Sequence, residues 1–149
     1  VIIALVIHRS TEARYTLNAL LLGAAVGAGF ASFESAGYAF GSLLAEGSST
    51  QMMFTIVLRG LLAVGGHVAW SAVTGAALSI ALERGPFTFK VFGRARFWGL
   101  FAIPVICHGI WDWLTIYTCI PLTIIIWIIL LALIRRGFLE INTLARENT

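Results

Sequence analysis

The chain has 149 residues and a formal net charge of +3, with 59% hydrophobic and only 11% charged side chains. A soluble domain carries roughly a quarter charged residues, and mean hydropathy here is +0.92, so a water-soluble globule is excluded and a polytopic membrane protein is expected. No basic stretch is interleaved with aromatics as nucleic-acid binding requires, which leaves the lipid bilayer and its contents as partners.

Residues 1–7 (VIIALVI) are apolar, but at ~1.5 Å per residue they cover only about a third of a hydrocarbon core of ~30 Å. They lack the basic n-region and cleavage site of a signal peptide, and read as the end of a helix whose first half is missing from this sequence. Residues 8–14 (HRSTEAR) form a loop. A helix is expected over 15–45, a short turn at 46–51 (EGSSTQ) and a second helix over 52–82. Residues 83–96 (ERGPFTFKVFGRAR) form the longest loop, with Pro86 as a breaker. A third helix is expected over 97–117, ended by a break at 119–121 around Pro121. The last span covers 122–134, begun a few residues earlier because thirteen residues are short for a crossing. Arg135 and Arg136 end it, and the polar tail after them is expected to fray. The fold class is therefore all-α, a polytopic transmembrane helix bundle of four complete spans plus an N-terminal partial span. Residues 1–134 form one transmembrane domain and 135–149 a cytoplasmic tail.

Orientation follows from Lys and Arg. Arg9 and Arg14 lie in the first loop, Arg84, Lys90, Arg94 and Arg96 in the long loop, and Arg135 and Arg136 after the last span, while the turns at 46–51 and 118–121 carry none. Basic loops alternate with neutral ones, as four crossings require, so the basic loops and the C-terminus are cytoplasmic. The small residues Gly23, Gly27, Ala31 and Ser35 repeat every four positions, a face that lets membrane helices approach backbone to backbone. Gly37 and Gly41 form a second such step. Cys107 and Cys119 have no CxxC spacing and read as small core hydrophobes.

Ionisable groups at apolar depth are costly, by ~2.5–3.5 kcal/mol on insertion scales, so they are the candidates for function. Glu34 sits amid glycines, alanines and aromatics; Arg59, His67, His108 and Asp112 follow on other helices. Counted at ~1.5 Å per residue from the outer turns, Glu34 and His108 lie ~15 Å deep, Arg59 and Asp112 ~10 Å, and His67 ~20 Å or more. His108 and Asp112 are spaced i, i+4 and share a helix face, so Asp112 can orient the imidazole. Arg59 and His67 differ by ~80° of helix rotation and can face one cavity. A glutamate with histidines in a half-buried polar pocket suits general-base activation of water, with a histidine or arginine steadying the oxyanion or protonating a leaving amine. Equally open at this point are structural ion pairing of Arg59 with Glu34 or Asp112, and interhelical hydrogen bonding by His67. No HExxH is present and the depths differ, so no metal and no other cofactor is expected. Trp111, Trp113 and Tyr117, near the outer end of their span, are expected as interfacial anchors.

Three motifs in this order resemble the PrsW family of glutamic-type intramembrane proteases, relatives of the prenyl-protein (CAAX) endoproteases and bacteriocin-processing enzymes. The first is G-x-G-F-A-x-x-E-x-x-x-Y, here Gly27, Gly29, Phe30, Ala31, Glu34 and Tyr38. The second is an Arg followed eight residues on by His, here Arg59 and His67, with Gly75 beyond. The third is H-x-x-x-D/N, here His108 and Asp112 with Trp111 between. The resemblance covers about residues 1–134. It implies a metal-independent endopeptidase of a bacterial or archaeal cell membrane that cuts membrane-anchored proteins, anti-sigma factors among them, near the extracytoplasmic side. Glu34, His67, His108 and Asp112 would then be catalytic, with Arg59 and Tyr38 in support. The family's leading EExxK motif, expected to supply the catalytic base, is absent; its place falls before Val1, and a polypeptide without it would be an inactive scaffold or fragment. A proton-coupled transporter, with the same buried groups as a relay, is the alternative function.

Overall fold

The computed structural model describes residues 2–9, 14–113 and 116–147, with the side chains of 116–119 outside the described set. Among the described residues the fold is all-α: α1 (Ile2–Arg9), α2 (Thr16–Glu46), α3 (Ser49–Ala63), a π-helical segment (Val64–Val68), α4 (Ala69–Leu82), a 3-10 turn (Phe89–Gly93), α5 (Ala95–Trp113) and α6 (Ile116–Glu147). Among the described residues, three helical stretches are long and apolar enough to cross a membrane, Thr16–Glu46, Ser49–Leu82 and Ile120–Glu147. The chain is thus an all-α membrane helical bundle. Large apolar side chains such as Phe33, Leu44, Phe54, Leu61 and Ile128 point outward, which suits a surface whose solvent is lipid rather than water.

The α2–α3 hairpin turns on two residues instead of the expected six. Gly47 adopts φ 63° and donates its N–H to the Leu43 carbonyl, a left-handed C-cap that only glycine takes without steric cost. Ser48 then caps α3 by accepting from the Gln51 N–H. The hairpin is tied across by the Ser42 and Thr55 hydroxyls, 3.2 Å apart.

The core is organised around α4, twelve of whose fourteen residues are buried. Its contact with α2 is backbone on backbone. A Cβ added at Gly23 would lie 2.1 Å from the Ser71 carbonyl oxygen, at Gly27 2.2 Å from that of His67, and at Gly75 2.1 Å from that of Ala19. Any side chain at these positions forces the helices apart, so Gly23 and Gly27, the first two members of the four-residue repeat read from the sequence, lie in the seam. The second step is not part of it: around Gly37 and Gly41 a Cβ would meet nothing within 4 Å. Spacing alone cannot tell a packed glycine from a lipid-facing one, because the helix they share has only one side against α4.

The end of the bundle holding the 83–96 loop is polar and interlocked. The Glu140 carboxylate accepts from the Thr16 N–H at 3.1 Å and lies 3.7 Å from Arg84 Nε. Ser79 Oγ donates to the Arg14 carbonyl, and Arg94 donates to the Ala81 carbonyl that α4 leaves free near its end. The expected fraying after Arg136 is not observed, since α6 continues to Glu147 and Glu140 docks on the start of α2. The break expected at 119–121 is not there either. Pro121 lies inside α6, in its second turn, near enough to the helix start that little of the hydrogen-bond ladder precedes it.

Candidate active site

The residues that sequence put at apolar depth meet in one continuous chain of contacts. Asp112 Oδ2 is 2.9 Å from His108 Nδ1. The other nitrogen of that ring, Nε2, is 3.1 Å from His67 Nε2. His67 Nε2 is also 3.5 Å from Glu34 Oε2, which accepts from Arg59 Nη2 at 2.7 Å. Arg59 in turn lays its guanidinium over the Tyr38 ring, 3.9 Å from the centroid. The carboxylate on His108 Nδ1 fixes its tautomer, with the proton on Nδ1, so Nε2 presents a lone pair to His67.

Local structure explains why these groups meet although residue counting put His67 deeper than Glu34. Counting assumes straight, upright helices. Between Arg59 and His67 the helix passes through the π-helical segment, where Gly66 has φ −105° and ψ −112°. An extra residue in the turn re-aims every later side chain, and such segments recur at functional sites. Gly27 then brings the His67 backbone against α2, two turns from Glu34. α5 contributes His108 and Asp112 from one face.

A cavity of about 40 Å³ adjoins the His67 imidazole, lined by residues that include Ser35, Arg59, His67, Trp70 and Trp111; it has room for a water molecule. Trp111 is therefore not the expected interfacial anchor. It packs edge-on against Trp70 at 5.5 Å, because the face that carries His108 inward carries Trp111 with it. Trp113 is 89% exposed, as an anchor should be; the Tyr117 and Cys119 side chains lie outside the described residues. Cys107 is buried in the core, as expected.

Sequence reasoning missed Trp70. Its ring sits 4.9 Å from that of His108 and 5.1 Å from that of His67. The available signal was its i, i+3 spacing from His67, which puts both on one face. It also missed the π segment, signalled by the adjacent Gly65 and Gly66.

A family model described as PrsW family intramembrane metalloprotease matches residues 1–134. No curated protein and no solved structure matches. The word metalloprotease implies an ion, and the donor geometry tests that. Two facing imidazole nitrogens 3.1 Å apart, one backed by a carboxylate, suit two corners of a zinc site. The third corner is missing: Glu34 Oε2 is held by Arg59, and no group of three or more His, Cys, Asp or Glu among the described residues is arranged to hold an ion. The described residues do not complete a metal site. The family match covers all but the last fifteen residues, and with the three motifs joined in one site the chain belongs to the PrsW family of intramembrane proteases.

Proposed function

We propose that this chain is an endopeptidase of the glutamic type, acting without a metal on membrane-anchored proteins, anti-sigma factors being one such class. The observation that carries the reading is the unbroken run of contacts from Asp112 through His108, His67 and Glu34 to Arg59, beside a cavity of water size. Water held in that cavity attacks the scissile carbonyl carbon while the Glu34–His67 pair takes its proton. The carbonyl π electrons move to oxygen. When the tetrahedral intermediate collapses and the C–N bond breaks, the proton passes along the His67–His108 contact to the leaving amine. Asp112 positions His108, and Arg59 holds Glu34 in place while Tyr38 supports Arg59.

The topology supports an extracytoplasmic site. α5 is the third of the four crossings in this reading; it carries exposed Trp98 near its start and Trp113 at its end, as an aromatic belt would. The basic loop and the α6 tail then face the cytoplasm. Residues 1–134 act as one transmembrane domain.

The test uses the full-length gene product in proteoliposomes with a membrane-protein fraction, and mass spectrometry of newly formed N-termini. Wild type should generate new termini, unchanged by 1,10-phenanthroline. His108→Ala should lose at least ~10²-fold in rate, the usual size of a general acid–base contribution, while inserting normally. Undiminished cleavage by His108→Ala would sink the proposal. Solute uptake driven by a pH gradient, with no new termini, would instead favour a proton-coupled carrier.

A further inference from the structure

Two donors on residues that line the cavity have no acceptor among the described residues. The Trp70 indole N–H and the Arg59 Nε–H are both buried and find no hydrogen-bond partner among the described residues. Trp70 is only 4% exposed. Leaving a buried donor unpaired costs about 1–3 kcal/mol, and buried tryptophans usually satisfy their N–H. Arg59 spends its Nη2 on Glu34, so its Nε is a separate, uncommitted donor. Both residues line the same 40 Å³ cavity, as does His67.

We propose that Trp70, with Arg59 Nε, forms the oxyanion-binding element of this site, the indole N–H donating to the oxygen of the peptide carbonyl under attack. The inference rests on the protease reading above and adds a catalytic residue that none of the three motifs contains. A peptide carbonyl oxygen is an acceptor with two lone pairs, and it gains a full negative charge when water adds to carbon. Donors already in place and already stripped of water stabilise that charge without reorganising, which is where such donors act most strongly. The surroundings hold the indole still: its six-membered ring lies over Gly66, 3.6 Å from where a Cβ would be, Trp111 meets it edge-on, and both imidazoles flank it. A ring clamped on these sides can aim a donor.

The experiment replaces Trp70 by 3-benzothienylalanine, which puts sulfur where the N–H stood and keeps the ring's shape, in the full-length protein. The substrate is the one most rapidly cut in the N-terminus assay. The expected result is a fall in kcat of ~10²–10³-fold, the size seen on removing one oxyanion donor, with KM within a factor of two or so and an unchanged unfolding midpoint in detergent. A role in packing alone would leave kcat intact in this isosteric variant. As a measurement free of any folding effect, the Trp70 indole resonance of the wild-type protein should move downfield when a peptidyl difluoroketone, whose hydrate mimics the tetrahedral intermediate, is bound. Full kcat in the benzothienyl variant, or an indole resonance that does not move, overturns the assignment while His108→Ala inactivity leaves the protease reading standing. Normal cleavage by His108→Ala overturns both.

Discussion

The backbone contact at Gly27 offers the most direct test of how the fold builds the site. A methyl group there would lie 2.2 Å from the His67 carbonyl oxygen and 2.8 Å from the Ser71 Cβ. Reaching even 3.4 Å, the near edge of ordinary contact, requires α2 and the π segment to separate by about 1.2 Å along that line. That oxygen is main chain, so no rotamer relieves the clash. Overpacking of this kind costs ~1–3 kcal/mol, against an intrinsic helix preference for Ala over Gly of ~0.5–1 kcal/mol. The displacement falls on His67, which is 3.5 Å from Glu34 and 3.1 Å from His108. A misplacement of ~1 Å among catalytic groups can cost ~10²-fold in rate. Gly27→Ala is therefore expected to lower stability by ~1 kcal/mol or more and turnover by ~10²-fold. Gly29→Ala is the control, since a Cβ there meets nothing within 4 Å; it should keep wild-type turnover and gain up to ~0.5–1 kcal/mol of stability. Denaturant unfolding in detergent micelles and the N-terminus assay read the two effects separately. Equal stability and turnover in the Gly27 and Gly29 variants would refute the claim that this glycine seam positions His67.

Asp112→Asn keeps an acceptor for His108 but removes the charge and permits the wrong tautomer; cleavage should fall ~10-fold or more with insertion unchanged, and wild-type turnover would mean that Asp112, at 64% exposed, does not position the ring. Glu140→Ala removes the acceptor at the α2 N-terminus. Stability should fall by ~1 kcal/mol, the typical worth of an N-terminal cap, with kcat unchanged, because Glu140 touches none of the groups in the chain of contacts from Asp112 to Arg59. Unfolding in detergent and turnover on one preparation check both halves.

The sequence alone determined the solvent of this protein, its helical class and the identity of its polar site. An 11% charged chain cannot cover itself in water, and a backbone in lipid must satisfy its own hydrogen bonds, which leaves helices. Groups such as Glu34, Arg59, His67, His108 and Asp112 are expensive enough at that depth to be conspicuous one at a time. The seam at Gly23 and Gly27 was also legible, because its four-residue period is local. What the sequence left open were distances and directions. Only the tertiary structure decided that Glu34, His67 and His108 touch, because a non-helical Gly66 re-aims the chain between Arg59 and His67. Only it separated the packed glycines from Gly37 and Gly41, turned Trp111 inward and brought Glu140 back onto α2. Composition and period are properties of a residue and its neighbours in the chain. Which side of a helix finds a partner, and where two helices cross, depends on residues dozens of positions away, so it is fixed only when the bundle closes.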